Sequence, residues 1–143
     1  MRRLVSLLYI QIMIKRPLNK RFSQAVLDGR KTTTIRENPW PVGKLVMLYN
    51  WSGAAYRSPQ IDVEPVMVDS AVPITISHLP SGQLLYDYDW PWGGDLLWFS
   101  EGFDSGHDME EWFRPLVKRG QSVTKHLMRF RLANSVLGSK QTT

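Results

Sequence analysis

The sequence predicts an α+β fold: a small β-barrel of about five to seven short strands with one or two covering helices. Three observations support this prediction. With 143 residues, the chain has the length of one domain. Short β-prone runs recur between turns that contain Pro or Gly, which is typical of a strand-rich fold. Two segments have the spacing of short amphipathic helices, so the order along the chain is strand, helix, several strands, helix, strand.

The first part of the chain begins with a strand and a short helix. Residues 9–14 are β-prone and predict a strand that ends at the Lys-Arg-Pro run after them. Asn19 is the expected N-cap of the helix, and Gly29 is the expected stop at its C-terminal end. The β-branched residues 32–36 predict a second strand, and residues 44–51 predict a third that is central in the sheet.

The middle of the chain is expected to hold two further strands and a loop. Residues 61–68 and 72–76 predict strands, and Pro65 in the first of them implies a bulge or an edge position. Residues 79–98 contain five aromatic residues, interleaved with acidic and turn residues. This composition predicts a long ordered loop, which is either a lid, a secondary core or a surface that stacks on a base.

The last part of the chain predicts a helix, a strand and a tail. Asp108 is the expected N-cap of a helix from residue 109 to about 117. Residues 123–132 alternate in polarity and predict the closing strand. Residues 1–9 form a candidate N-terminal extension, with Met13 as an alternative start, and residues 133–143 are expected to be a flexible polar tail.

The composition excludes several kinds of site. The absence of cysteine removes disulfides, Cys-ligated metals and cysteine nucleophiles, and it fits a cytoplasmic location. The three histidines lie far apart in the sequence, so neither a metal nor another cofactor is expected. The apolar stretch near the N-terminus is too short to span a bilayer and lacks a cleavage site for a signal peptide, so no membrane partner is expected.

The net charge of +5 is distributed unevenly along the chain. Residues 1–36 hold nine Lys and Arg and one acidic residue, whereas residues 37–100 hold two basic and seven acidic residues. The basic N-terminal part indicates an anionic partner, such as RNA or a nucleotide. A basic face that serves solubility alone is the alternative, and the charge pattern leaves both open.

The most specific motif in the chain is Leu-Asp-Gly-Arg-Lys-Thr-Thr-Thr-Ile-Arg at residues 27–36. It resembles the ASCH domain family of PUA-like β-barrels, in which a helix ending in Gly is followed by Lys-Thr and by a strand that carries Arg. Weaker matches are Pro-Val-Gly-Lys-Leu-Val at 41–46, Ser-Glu-Gly-Phe at 100–103 and the closing strand at 126–132. The resemblance covers roughly residues 10–132 and implies that this range is a single PUA-like barrel.

Within this family, the chain is most similar to the small bacterial N4-acetylcytidine amidohydrolases. Lys31 and Thr34 match two of their active-site residues without a gap, and Glu101 matches the third across a gapped region. The resemblance implies a metal-free amidohydrolase that deacylates a modified pyrimidine nucleoside such as N4-acetylcytidine. In this interpretation Thr34 is the nucleophile, Lys31 is the base and Glu101 assists.

The spacing of the motif sets a structural condition for this chemistry. Residues three apart in a regular strand point to opposite faces, so Lys31 and Thr34 converge only if Lys31 still lies in the turn after Gly29. Arginine side chains suit contacts to phosphate or carbonyl oxygens. The substrate-binding candidates in the same run are Arg30, Thr32 and Arg36.

Other functions remain open at the level of sequence. PUA-like barrels recognise RNA, so the chain is alternatively an RNA-binding module without catalysis. A metal-independent ribonuclease, in which Lys31 stabilises a phosphorane, is a third interpretation. Each residue also has a plain structural reading: the threonines as β-formers, Lys31 as a surface charge and Glu101 as a turn or capping acid. The oligomeric state is left open.

Overall fold

The protein has a mixed α+β fold, and the computed structural model describes residues 13–89 and 96–133. The α+β class expected from the sequence is confirmed: one six-stranded sheet is accompanied by three short helices in the described residues. The strands are β1 (Ile14–Pro17), β2 (Thr33–Arg36), β3 (Leu45–Trp51), β4 (Gln60–His78), β5 (Leu84–Tyr88) and β6 (Ser122–Leu132). The helices are α1 (Ser23–Leu27), α2 (Leu97–Ser100) and α3 (Gly106–Phe113), with 3-10 turns at Lys20–Phe22 and Arg114–Leu116.

The sheet is organised around its longest strand, β4. The strand order is β1-β3-β4-β6-β2, and β5 pairs with β4 outside this path. β4 pairs with β6 along one side and with β3 and then β5 along the other. The β1–β3 pair is parallel and the other pairs are antiparallel. β1 and β2 are therefore the two ends of the strand path.

The two strands expected at 61–68 and 72–76 are one continuous strand, because β6 pairs with residues on both sides of the expected break, from Val66 to Ser77. The register shift between β4 and β6 lies between Val68 and Ser70 and not at the proline. Pro65 lies just before the stretch that pairs with β6, where β3 is the neighbour. Proline, which has no N–H group, is tolerated where one edge of a strand makes no hydrogen bonds to a neighbouring strand.

The expected loop at 79–98 is partly regular structure. Its residues 84–88 form β5, because they pair with the end of β4, and its last residues begin α2. The expectation of one long loop is therefore wrong for these residues. Residues 90–95 of this stretch lie outside the described residues. The candidate extension at 1–9 and nearly all of the tail, 134–143, lie outside them as well.

The helix boundaries follow from their caps. Asn19 accepts a hydrogen bond from the Arg21 amide and caps the 3-10 turn that leads into α1, and Gly29 has φ of +75° after that helix. Both expectations are confirmed. The cap of α3 is Ser105, whose hydroxyl accepts from the Asp108 amide, so the expectation that Asp108 is the cap is wrong. Asp108 instead lies in the first turn, where the helix dipole favours a negative charge.

The core lies between the sheet and the helices. Alternate residues of β4, such as Val66 and Val68, are fully buried while Met67 between them is not, as the period of 2 requires. β3 is buried on both faces from Val46 to Asn50, as expected of a central strand. Val26 of α1 and Met109 and Phe113 of α3 close the core from the helical side. Among the described residues, no helix has the length and apolar character needed to cross a membrane.

Candidate functional site

A pocket of about 150 Å³ is lined from both ends of the strand path. One side comes from the segment after β1, and the other from β2 and the turn before it. The segment after α2 and helix α3 complete the wall. The lining residues are Leu18, Asn19, Phe22, Lys31, Thr34, Ile35, Arg36, Glu101, Phe103, Trp112 and Phe113. The structure thus brings Lys31, Thr34 and Glu101 together in one pocket.

Lys31 reaches the pocket because it lies outside strand β2. The backbone amides of Arg30 and Lys31 both donate to the Ala25 carbonyl at 2.9 Å, which holds this segment as a turn against α1. β2 begins two residues later, at Thr33. The strand rule that sends residues three apart to opposite faces therefore does not apply to Lys31 and Thr34. The structural condition set by the sequence is met.

The amine of Lys31 is buried and held by main-chain oxygens. The side chain is 4% exposed, and Nζ donates to the carbonyl oxygens of Thr33 at 2.8 Å and Glu101 at 2.7 Å. Nζ also lies 4.9 Å from the centre of the Phe22 ring. Burial lowers the pKa of Lys31 to about 8, with smaller lowering effects from Arg36 and Arg30 and an opposing effect from the Glu101 charge.

Glu101 is buried beside this amine, but its carboxylate has a different partner. The residue is 3% exposed, and Oε2 accepts a hydrogen bond of 2.5 Å from the Thr33 hydroxyl. The Thr33 hydroxyl also lies 3.1 Å from that of Ser100. Within the described residues, no ion pair joins the Lys31 amine to the Glu101 carboxylate.

The turn after Glu101 depends on glycine. Gly102 has φ of +94°, a conformation that other residues rarely adopt. A Cβ atom there would lie 3.3 Å from both Cβ and Cδ of Lys31 and 3.2 Å from the Phe22 ring. Gly102 therefore allows the segment that carries Glu101 to approach Lys31 closely.

Arg30 holds the same turn and does not line the pocket. Its guanidinium donates to the carbonyl oxygens of Gly102 at 3.0 Å and Phe103 at 2.9 Å. The side chain also lies over the Phe99 ring, 5.6 Å from its centre. These contacts make Arg30 a scaffold for the Glu101 segment.

Thr34 and Arg36 lie together at the pocket. The Arg36 Nε donates to the Thr34 hydroxyl oxygen at 2.9 Å, and the guanidinium stacks 4.9 Å from the centre of the buried Trp40 ring. Burial lowers the pKa of Arg36, and repulsion from Arg16 adds to this effect against the attraction of Glu101. Among the described contacts, none is a hydrogen bond from Thr34 to Lys31 or Glu101.

The remaining two threonines of the run have separate roles. Thr32 does not line the pocket; its backbone amide donates to Ser100 and its carbonyl accepts from Phe130, both at 2.8 Å. Thr33 was not singled out by the sequence, although its hydroxyl holds the Glu101 carboxylate. The sequence gives no local signal that distinguishes three consecutive threonines from one another. Thr33 could not be picked out because its partner, Glu101, lies 68 residues away in the chain.

Aromatic rings also line the pocket, and one of them, Phe22, contacts the Lys31 amine. Phe22, Phe103 and Trp112 contact one another edge to face, with ring centres 5.1 to 5.9 Å apart. Trp112 is 36% exposed, so part of its ring is open to solvent. The pocket therefore combines hydrogen-bonding groups with an aromatic wall, as sites for planar polar molecules do.

The three histidines belong to three different elements: His78 ends β4, His107 lies in α3 and His126 lies in β6. His78 Nδ1 is 2.8 Å from the Val117 carbonyl, and His107 lies on α3 beside Glu111. In the part of the chain that the structure describes, no group of three or more His, Asp or Glu side chains could hold a metal ion.

No protein-family model, curated protein or solved structure matches the chain. The ASCH assignment therefore stays a prediction.

Proposed function

We propose that the protein is a metal-free cytoplasmic amidohydrolase that removes the acyl group from a modified pyrimidine nucleoside such as N4-acetylcytidine. In this proposal the sheet is that of an ASCH-type, PUA-like barrel. One observation carries the proposal: a buried lysine with a lowered pKa, a threonine hydroxyl and a buried carboxylate line the same pocket. A lysine in such an environment can act as a general base near neutral pH.

The contacts of Lys31 suit this role. A neutral amine has two N–H groups and one lone pair, and the two N–H groups are used by the Thr33 and Glu101 carbonyls. The lone pair is then left to accept a proton. Since burial brings the pKa to about 8, a substantial fraction of the amine is neutral at slightly alkaline pH.

The hydroxyl of Thr34 is the proposed nucleophile. Its oxygen already accepts a hydrogen bond from the Arg36 guanidinium, which favours the developing alkoxide. The oxygen forms a bond to the acyl carbon while its proton passes to Lys31. Because its guanidinium contacts the Thr34 hydroxyl, Arg36 is also the proposed donor to the oxyanion of the tetrahedral intermediate.

The second half of the reaction returns the proton. As the bond from the acyl carbon to the exocyclic nitrogen breaks, Lys31 gives its proton to the leaving amine. Water then hydrolyses the acyl-threonine ester, with Lys31 again taking a proton and Thr34 recovering its own. The charge of Glu101 stabilises the protonated form of Lys31 in both steps.

The aromatic wall supports a nucleobase as the planar part of the substrate. Trp112 offers a partly open ring beside Phe22 and Phe103, and aromatic side chains stack on bases with about 1–3 kcal/mol each. In this proposal the acyl group on the exocyclic nitrogen of that base lies beside Lys31 and Thr34, which line the same pocket.

Turnover of N4-acetylcytidine to cytidine, followed by chromatography, tests the proposal. We expect product from the wild type and a loss of at least about 100-fold in kcat for Lys31→Ala and Thr34→Ala, which remove the base and the nucleophile. Lys118→Ala is the matched control, since Lys118 is exposed and lies outside the pocket lining.

Two results would count against the proposal in different ways. Full turnover by Thr34→Ala would exclude Thr34 as the nucleophile. No product from the wild type would exclude this substrate, and salt-dependent RNA binding or RNA cleavage by the same samples would then favour the RNA interpretations.

A further inference from the structure

Lys31 and Glu101 are a buried amine and a buried carboxylate in one pocket wall, and they are not paired with each other. The amine donates to two backbone carbonyls, one of which belongs to Glu101 itself. The carboxylate accepts from Thr33. Oppositely charged groups that are buried side by side ordinarily form an ion pair, so this separation needs a cause.

The side chain that contacts the Glu101 carboxylate is Thr33. It is 4% exposed, and its hydroxyl lies 2.5 Å from Oε2 of Glu101 and 3.1 Å from the Ser100 hydroxyl. The Ser100 hydroxyl can donate to the Leu97 carbonyl at 3.1 Å, which leaves the Thr33 proton for the carboxylate. The side chains of Ser100, Thr33 and Glu101 thus form a buried chain of polar contacts that ends at the carboxylate.

We propose that Thr33 is a positioning residue that holds the Glu101 carboxylate away from the Lys31 amine, so that the lone pair of the amine stays available to the pocket. The consequence for catalysis rests on the proposed function, whereas the separation itself is a property of the fold. A direct ion pair would occupy the remaining position on Nζ and hold the proton there, because Coulomb attraction is strong where water is excluded. The amine would then no longer serve as a base near neutral pH.

The titration of Lys31 in Thr33→Val tests this inference without a substrate. Valine has nearly the shape of threonine but no hydroxyl, so the carboxylate loses its donor and is expected to turn to the amine. The charged groups that act on Lys31 are Glu101, Arg36 and Arg30, and only Glu101 favours the protonated amine. We therefore expect the midpoint of the titration to rise by roughly 1–2 pH units from about 8.

The measurement is NMR of the Lys31 side chain against pH, with the signal assigned by Lys31→Arg. Thr32→Val is the matched control: the same change one residue earlier, at a threonine that contacts its neighbours through its backbone. Its titration should equal that of the wild type, and Thr33→Ser, which restores a hydroxyl, should return the midpoint to about 8. An unchanged or lowered midpoint in Thr33→Val would overturn the inference.

The same substitution made in the Glu101→Gln protein shows whether Thr33 acts through the carboxylate charge or through packing. In Glu101→Gln the charge is gone, so the Lys31 midpoint should fall below that of the wild type and Thr33→Val should add no further change. A shift that persists in this background would mean that Thr33 acts through packing, and the inference would be wrong.

Thr33→Ala removes the hydroxyl without adding a methyl group toward the carboxylate, and it serves if the valine variant does not fold.

Kinetics distinguish this inference from the proposed function. If the wild type hydrolyses N4-acetylcytidine, Thr33→Val should lower kcat near neutral pH, leave KM unchanged and recover activity as the pH is raised. If the wild type shows no turnover, the proposed function fails, while the titration still decides whether Thr33 keeps the two groups apart. A lowered kcat with an unchanged pH profile would count against Thr33 as a positioning residue.

Discussion

The side chain of Lys31 shows how a buried amine is kept in a folded protein without a carboxylate partner. Its two hydrogen bonds go to carbonyl oxygens that are fixed by the main chain, so the amine keeps both bonds when it loses its proton. Burial then becomes the dominant influence on its pKa, which falls to about 8 from 10.5. In the unfolded chain the same amine is solvated and titrates near its ordinary value.

This difference predicts how stability depends on pH. Below about pH 8 both the folded and unfolded states carry the proton, and the folded state bears the full cost of a buried charge. Between about 8 and 10.5 the unfolded state binds more protons than the folded state, so the free energy of unfolding rises with pH in this window. The gain is about 3 kcal/mol, from about 1.4 kcal/mol for each pH unit of the difference.

Urea unfolding of the wild type and of Lys31→Met measures this effect. Methionine has no ionisable group. The titration of the other residues contributes to both proteins, so it cancels in the difference between their free energies of unfolding. We expect the wild type to gain stability relative to Lys31→Met as the pH rises from 8 to 10.5. A difference that is constant across this range would show that Lys31 has an ordinary pKa in the folded protein.

At the scale of elements, the site depends on two turns that pack against each other. The turn after α1 contains Gly29 and presents Lys31, and the turn after α2 contains Gly102 and presents Glu101. Arg30 joins them through its bonds to the Gly102 and Phe103 carbonyls. Both turns need a positive φ, but only Gly102 also has a neighbour within reach of a Cβ atom.

We therefore expect Gly102→Ala to destabilise the protein more than Gly43→Ala. Both positions have a positive φ, so both substitutions introduce backbone strain of roughly 1–3 kcal/mol. Gly43 has open space around it, whereas at Gly102 the added atom presses on Lys31 and Phe22. Denaturant unfolding of the two variants measures the difference, and equal losses would show that the close approach to Lys31 has no energetic weight.

At the scale of the whole molecule, β4 connects most of the sheet. Ile76 lies near its end, fully buried, with Tyr86 of β5 on one side and Val123 of β6 on the other. Ile61 lies near the beginning of the same strand and is 54% exposed. The two isoleucines therefore compare core and surface positions within one strand.

We expect Ile76→Ala to lower the free energy of unfolding by about 2–5 kcal/mol, because it leaves a cavity in the core. Ile61→Ala should change it by less than about 1 kcal/mol, since a half-exposed side chain loses little buried area. Thermal or urea unfolding measures both. Similar losses for the two variants would mean that the end of β4 is not part of the cooperative core.

Much of the fold was predictable from the sequence, because the signals are local. The caps at Asn19 and Gly29, the β-branched β2 and the apolar β3 depend on side chains and φ angles within a few residues. The run at 27–36 was identified as the candidate site through its resemblance to the ASCH family, not from a local physical signal. β5 was missed because its acidic and aromatic residues resemble a loop until they pair with β4.

By itself, the sequence determined the α+β class, the main caps and the residue types available for the site. Only the tertiary structure decided which of those residues meet: that Arg30 supports a turn, that Arg36 bonds to Thr34, and that the Glu101 carboxylate accepts from Thr33 while the Lys31 amine donates only to main-chain carbonyls. The physical reason is distance along the chain. Thr33 and Glu101 are 68 residues apart, and no period of 2 or 3.6 residues encodes a hydrogen bond across that separation.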